Sequence, residues 1–376
     1  MSRPLRILQI IVQSNLRAGG AVQLFRLSKE LVRRGHSVYA LFDDDPDYRN
    51  HFAIFDGSGI DLNFLRMHRV KPDIPTIKTV KKLRSIIKKG RFDIIHAHKG
   101  NAVDLVWLAT IGLDIPIVAN IGAAFQVNYF QSFKYRSAGI SRIIAVARAV
   151  KDVMVETGKI DPGKIEVVWG SVDTEQFHPG IRSTLREEFS VPGSKRVIGF
   201  VGNPSKRKGL QYLIEAFEQL AGKYDDIVLM VVGVNERELG DFTISNEAAK
   251  SRIIPCGFRK DIPNCMAAFD IYVFAGLVNE GLAGTLREAA AMELPIVTTD
   301  VAGNAELIHD NHSGLAVPPY DASALARALE FLLDNKDKAV QFGKKARDFV
   351  VNNMTNELRV DKIEKIYYDI LAEKQL

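Results

Sequence analysis

The sequence predicts two doubly wound α/β domains in tandem, and three observations carry that reading. Short β-branched apolar runs alternate with helical stretches along the whole chain, the pattern of parallel sheets covered by helices on both faces. Turn residues interrupt the alternation around Phe177-His-Pro-Gly180 and near Pro192-Gly193, after which it restarts, marking an interdomain connection. A chain of 376 residues also exceeds what one hydrophobic core usually serves. The boundaries follow: a first domain over 1–178, a second over 179–356, and a terminal helix over 357–376.

Taken in order, the first domain has predicted strands at Leu5–Val12, Ser37–Phe42, Phe92–Ala97, Ile115–Ala119, Ile143–Val146 and Ile165–Val168. The helix Ala21–Arg34 places Leu24, Leu27 and Leu31 on one side and ends at Gly35, a residue suited to a left-handed cap. In the second domain, strands are expected at Arg196–Val201, Ile227–Val232, Ile253–Pro255, Ile271–Phe274, Ile296–Thr298 and Leu315–Val317. Helices fill the gaps, notably Gly209–Leu220 and Ala322–Leu333. The last stretch, Asn356–Lys374, is amphipathic through Leu358, Ile363, Ile366, Tyr367 and Ile370. Two open sheets with facing carboxyl ends would form a cleft, the place where such folds hold ligands.

Composition narrows the class. Apolar residues make up 47% and charged residues 25%, as in a soluble globular protein. No apolar run is long enough for a membrane-spanning helix. The N-terminal apolar run is short and no small-residue cleavage site follows it, so it reads as a buried first strand rather than a signal peptide. Two cysteines, Cys256 and Cys265, are too few for a disulfide framework or a zinc site, and a reducing cytoplasm is the expected compartment. Charge is uneven: residues 1–180 hold 26 Lys/Arg against 17 Asp/Glu, leaving 24 against 28 for the remainder. Ten of those basic residues fall within 66–91, with Asp73 the one acid. There Ile77, Val80, Leu83 and Ile87 recur at helical spacing. This is either a solvated basic helix or a surface for anionic lipid headgroups.

The densest chemistry lies at 280–301. Glu280 and Glu288 bracket seven residues that include Gly281, Gly284 and Thr285. Apolar runs on both sides make this a strand, a Gly-rich turn, a helix and a second strand, with Pro295 stopping the helix soon after Met292. A turn opening a helix presents unpaired N–H groups and the positive end of a dipole to a phosphate. Carboxylates would repel that phosphate, so Glu280 and Glu288 are expected to accept hydrogen bonds from neutral hydroxyls. Phosphate plus hydroxyls is what a sugar nucleotide presents.

This segment resembles the Glu-x7-Glu motif of the retaining glycosyltransferases of family four, the group 1 glycosyltransferases, which have the GT-B fold. Its neighbours Val301-Ala-Gly-Asn-Ala-Glu306 and His312-Ser-Gly-Leu-Ala-Val-Pro318 are similar to that family too. The resemblance spans nearly the whole chain and is strongest from about 196 to 320. It implies two Rossmann-like domains facing across a cleft, with the last helix crossing back onto the first domain. It also implies that Glu280 meets the transferred sugar and Glu288 the ribose. The donor would then be held by Lys208, by the backbone of Gly281, Leu282 and Ala283, and by Thr285, with Glu280 and Lys208 as the catalytic pair.

Other loops carry the likeness with differences. Gly19 and Gly20 occupy the family's glycine loop after the first strand, although no Gly-x-Gly-x-x-Gly dinucleotide fingerprint is present. In Gly199-Phe-Val-Gly-Asn-Pro-Ser-Lys-Arg-Lys-Gly209, Lys208 matches the diphosphate lysine, while Asn203 stands where the family has an arginine. Gly257-Phe258-Arg259 resembles the loop whose backbone reads the nucleobase edge. The family's histidine near the transferred sugar is absent from Asn120–Phe125, so Asn120, or His98 at a neighbouring strand end, would have to touch sugar or acceptor. His96, on the same strand end, is a candidate of the same kind. No Asp-x-Asp pair stands at a strand end to chelate a metal with diphosphate, and Asp43-Asp44-Asp45 reads as a solvated loop.

The resemblance thus implies a retaining, metal-independent glycosyltransferase without a further cofactor. It would move a sugar from a nucleotide-sugar donor to a glycan or lipid-linked acceptor in cell-envelope polysaccharide or lipopolysaccharide synthesis. Expected partners are the donor, the acceptor and an anionic membrane surface through 66–91, with no nucleic acid. The expected location is cytoplasmic, peripheral at the inner face of a membrane if that surface is used. A sugar-nucleotide epimerase of the same fold and a catalytically silent sugar-nucleotide-binding protein remain open alternatives.

Overall fold

The computed structural model describes residues 3–16, 19–129, 131–278 and 280–374. Gln375 and Leu376, at the end of the expected terminal helix, and Arg17 and Ala18, in the first glycine loop, lie outside the described residues. The chain divides into two compact units, Met1–Ser171 with Asn356–Leu376, and Val172–Thr355. The division falls a few residues before the expected 178/179. Val172 already belongs to the second unit, donating its N–H to Met354 O at 2.9 Å and bridging Thr355.

In the first unit a seven-stranded parallel sheet is built from β1 (Arg6–Ile11), β2 (Ser37–Asp43), β3 (Asp61–Leu65), β4 (Ile94–His98), β5 (Ile117–Ile121), β6 (Arg142–Ala145) and β7 (Ile165–Val167). Its order is β3-β2-β1-β4-β5-β6-β7. The second unit holds β8 (Arg196–Val201), β9 (Ile227–Val232), β10 (Ile253–Gly257), β11 (Ile271–Phe274), β12 (Ile296–Thr299) and β13 (Leu315–Val317), also parallel, in the order β10-β9-β8-β11-β12-β13. Both sheets reverse their direction of growth after the third strand. This creates a switch point between β1 and β4 and another between β8 and β11, where open α/β sheets bind ligands. Two Rossmann-like parallel-sheet units are therefore present. β5 begins later than its expected Ile115: Pro116 accepts from Ile95 N at 3.0 Å but has no N–H of its own to donate to the ladder.

Each unit has its own core. In the first, Ile7, Ile11, Leu24, Leu27, Leu31 and Ile94 pack with Val360, Ile363, Tyr367 and Ile370 of the C-terminal helix Asn356–Glu373. In the second, Leu213, Ile214 and Phe217 of the helix Leu210–Ala221 pack on Ile198, Leu229 and Val231, with Leu325 and Leu329 alongside. Gly35 ends the helix Gly19–Arg33 with φ +91°, as its cap requires.

Beneath the C-terminal helix lies a layer of buried polar groups. His98 Nε2 meets Gln9 Oε1 at 2.6 Å, Gln9 Nε2 donates to Tyr367 Oη at 3.3 Å, and His96 Nδ1 meets the same hydroxyl at 2.6 Å. The two imidazoles stack with centroids 4.3 Å apart. Burial drives the His96 pKa down to about 3, helped by the Arg359 charge, and pushes His98 well below its ordinary value. Both are therefore neutral in the fold and chargeable in the unfolded chain. The unfolded state binds more protons below about pH 6.5, so stability is complete above that pH and falls as the pH drops toward the folded values. Each histidine contributes at most about 1.4 kcal/mol per pH unit in that window. Urea unfolding at pH 7 and pH 5 checks this: the His96→Gln protein should show a flatter loss, and an identical slope would contradict the assignment.

The basic segment forms a helix at Ile74–Gly90, begun by Asp73, whose carboxylate accepts from Thr76 N at 2.9 Å. Its buried face differs from the expected one. Leu83 and Ile87 face inward with Thr76 and Thr79, while Ile77 is 54% exposed and Ile74 68%. The threonines turn inward because Thr79 Oγ1 donates to Arg66 O at 3.2 Å and Thr76 Oγ1 accepts from Lys71 N at 3.2 Å. The acidic run is likewise not simply solvated. Asp43 is half-buried and accepts from Met67 N at 2.7 Å, Asp44 binds Arg49, and Asp45 caps the turn that follows. Among the described residues no helix is long and apolar enough to cross a membrane.

Candidate active site

Two loops meet at the carboxyl edge of the second sheet, one after β8 (202–209) and one after β11 (275–283). Leu277 N donates to Arg207 O at 2.8 Å and ties them together. Gly209 adopts φ +68°, and a Cβ there would lie 1.8 Å from Ala275 O, so only glycine allows so close an approach. It delivers Lys208, one residue before the helix Leu210–Ala221, across to the second loop.

There Lys208 Nζ donates to Glu280 Oε1 at 2.8 Å and lies 5.5 Å from the centre of the Phe274 ring. Both side chains are largely shielded, at 23% and 14% exposure. The two residues named from the sequence as the catalytic pair, 72 positions apart, are thus in direct contact. Gly281, Leu282 and Ala283 lead from Glu280 into the helix Gly284–Ala291, whose first turn carries no acidic residue. First-turn N–H groups have no partner within their own helix. Thr285 and Glu288, three apart, share one helix face. Thr285 Oγ1 accepts from the buried Tyr272 hydroxyl at 2.7 Å, which keeps its own proton available for a ligand oxygen. Burial raises the Tyr272 pKa, and the charges of Glu288 and Glu280 add to the rise.

A further set of contacts braces the loop. Gly303 N donates to Gly281 O at 2.7 Å, Arg287 Nη1 to Leu282 O at 2.8 Å, and Thr299 Oγ1 to Gly276 O at 2.5 Å. Asn304 Nδ2 reaches Thr299 O at 3.2 Å and Thr298 Oγ1 at 3.3 Å. With the carbonyls of 276, 281 and 282 engaged by protein, the loop is held from behind. None of Thr299, Arg287, Tyr272 and Asn304 was singled out from the sequence, since a supporting hydrogen bond leaves no spacing signature.

Other expected site residues fall into two groups. Near the donor loop, Asn203 is exposed and accepts from Ser205 N at 3.2 Å, shaping the turn. Phe258 is 57% exposed after Gly257, which has φ +65°. Arg259, by contrast, is absorbed by ion pairs to Asp261 at 2.8 Å and Glu188 at 2.6 Å, so it fixes the loop. In the first unit, Gly19 and Gly20 open the helix Gly19–Arg33. His98 and Asn120, expected at sugar or acceptor, lie instead in the buried layer, 2% and 8% exposed. Successive strand residues alternate faces, and both side chains point to the face covered by the C-terminal helix.

Comparison with known proteins identifies the family and agrees with the fold. Residues 181–349 match the model of the glycosyl transferases group 1, and residues 17–176 match that of glycosyltransferase family 4. The UDP-Gal:alpha-D-GlcNAc-diphosphoundecaprenol alpha-1,3-galactosyltransferase of Escherichia coli is 28% identical over 320 residues, covering 80% of this chain and 81% of the relative. A glycosyltransferase structure from Rickettsia africae superposes with a TM-score of 0.85 at 24% identity, covering 98% of this chain and 99% of the other. Anabaena HepE in complex with UDP gives 0.82 at 18% identity, covering 97% and 100%. The chain belongs to the group 1, family 4 glycosyltransferases of the GT-B type.

Proposed function

We propose that this glycosyltransferase moves a sugar, with retention of anomeric configuration, from a nucleotide-diphosphate sugar to a glycan or lipid-linked acceptor of cell-envelope polysaccharide or lipopolysaccharide type. The observation that carries the reading is the Lys208–Glu280 pair beside Thr285 and Glu288 at a helix N-terminus. Lys208 and the first-turn N–H groups suit the diphosphate, Glu288 the ribose hydroxyls, and Glu280 the hydroxyls of the transferred sugar. Relatives support it: HepE was crystallised with UDP, and the name of the Escherichia coli enzyme gives a UDP-sugar donor and a diphosphoundecaprenol acceptor.

In the proposed chemistry the acceptor hydroxyl attacks the anomeric carbon on the face the diphosphate leaves. The sugar–phosphate C–O bond breaks, and a departing phosphate oxygen takes the acceptor proton. Negative charge grows on the diphosphate, where a fixed cation is most effective. No protein base is needed, in keeping with Asn120–Phe125 lacking a histidine. Charge neutralisation by Lys208 and the helix supports a reaction that uses no metal ion or other cofactor.

A thermal-shift screen of UDP-, GDP- and ADP-sugars tests donor binding, because a ligand that binds only the native state raises Tm. At least one should do so, and the labelled donor should then transfer rather than isomerise. An unmoved Tm with every donor would overturn the proposal, and an isomerised donor would point to an epimerase.

We also propose that the Ile74–Gly90 helix rests on an anionic membrane, with Ile74 and Ile77 as its apolar contacts and Lys78, Lys81 and Lys82 facing headgroups. Each such cation is worth about 1 kcal/mol near the surface. The chain should co-sediment with phosphatidylglycerol vesicles at low salt and not with phosphatidylcholine alone. Equal binding to both would contradict an electrostatic attachment.

A further inference from the structure

We propose that Lys99, at the switch point of the first sheet, anchors a phosphate-type oxyanion of a substrate. The identity of the carrier rests on the sugar-nucleotide reading above; the site itself does not.

Lys99 follows the last residue of β4 and has φ 69° and ψ 154°. That region is essentially reserved for glycine, and a lysine held there is strained. Glycine would satisfy the backbone better, so the lysine side chain is what the position retains at a cost. Its ammonium end lies beside Gly20. A Cβ built on Gly20 would come within 2.8 Å of Lys99 Cε and 3.5 Å of Nζ, so a methyl group there would displace the lysine's tip. Nζ donates to Gln13 Oε1 at 2.5 Å, and Gln13 Nε2 in turn donates to Asn15 O at 2.6 Å, which fixes the amide's orientation.

The partner is therefore a neutral amide. In the second unit the switch-point lysine, Lys208, is met by the carboxylate of Glu280. Among the described residues no ion pair reaches Lys99. The residue is open to solvent, yet the protein around its ammonium lowers its pKa by desolvation alone, with no carboxylate opposing the shift. The helices Gly19–Arg33 and Gly100–Ala109 both begin beside it, and neither has an acidic residue in its first turn. Nearby His96 and His98 are neutral. A desolvated, accessible and uncompensated cation at a carboxyl edge calls for an anion. A phosphate oxygen would take one of the two ammonium protons that Gln13 leaves unused.

Two sources share this chemistry: the diphosphate of the donor, or an anionic group on the acceptor. Inorganic phosphate serves as the probe, in full-length protein carrying Lys208→Ala so that the second unit's lysine does not respond. Phosphate should raise Tm in that parent. Adding Lys99→Met or Gly20→Ala should weaken half-saturation about tenfold or more, the effect of losing one charge-assisted hydrogen bond. Lys99→Arg should restore part of it. Lys99→Gly should lose the response while its phosphate-free Tm is unchanged or higher, because the strain is relieved. A parent that ignores phosphate, or a Lys99→Met protein that responds equally, overturns the proposal. So does a Lys99→Gly protein with lowered Tm and an intact response, which would mean a structural lysine. UDP added to the Lys99→Met single variant assigns the source: a retained shift indicates the acceptor, a lost one the donor. Failure of UDP to shift the native protein would sink the sugar-nucleotide reading and leave the phosphate result standing.

Discussion

Lys208→Ala should lower the transfer rate by about 10²–10³-fold, the loss seen when one pre-placed donor is removed from a developing oxyanion. In the proposed chemistry Lys208 carries the charge that the departing diphosphate needs. Asn203, standing where the family has an arginine, supplies none, so little redundancy is expected. Lys206 and Arg207 precede it in the same turn but are exposed. They would have to leave solvent and fix long side chains to substitute. UDP affinity should fall together with turnover, since the diphosphate is bound in both ground and transition states. Folding should survive. The pair is partly shielded, so breaking it costs about 1–2 kcal/mol, between exposed and fully buried ion pairs. UDP titration beside initial rates checks the prediction, and unchanged turnover would remove Lys208 from the reaction.

Glu280→Gln should separate binding from chemistry. Its carboxylate holds Lys208 in the ligand-free protein, and the amide would hold it less firmly, leaving the cation freer to meet a diphosphate. UDP should therefore bind as tightly as before or more tightly. Transfer should still drop about 10²-fold or more, because a neutral amide accepts a sugar hydroxyl more weakly than a carboxylate and stabilises less positive charge at the anomeric centre. Opposite signs on UDP affinity and turnover are the signature. If affinity and rate decline in parallel, Glu280 is only scaffolding for Lys208.

Much of the architecture was legible because the strands of a doubly wound sheet are continuous apolar runs bounded by turns. β8, β9, β11 and β13 lie at the residues read from the sequence. β3 escaped notice because Asp61-Leu-Asn-Phe-Leu65 is a half-exposed edge strand that mixes polar and apolar residues. The basic helix was legible in its existence but not in its phase, since Thr76 and Thr79 turn inward through hydrogen bonds that periodicity of apolar residues does not count.

The candidate site was legible as a local arrangement where one segment carries it. Glu280, Thr285 and Glu288 lie in one strand–turn–helix, and their spacing survives in three dimensions. The contact between Lys208 and Glu280 was not readable from spacing, because it depends on β8 and β11 being neighbours. His98 and Asn120 show the limit from the other side. A strand-end position is visible in sequence, but which face a helix some 250 residues later will cover is not. Tyr367, which belongs to that helix, decides it. Lys99 was passed over for a different reason: an exposed lysine after a strand is ordinary until its backbone angles are known.

The most direct measurement is a crystal structure of the protein with an intact UDP-sugar. The diphosphate should lie on Lys208 and the N–H groups at Ala283–Thr285, with the ribose on Glu288 and Glu280 drawn away from Lys208 to a hydroxyl of the sugar. A nucleotide bound elsewhere, with the Lys208–Glu280 pair still closed at 2.8 Å, would contradict the account.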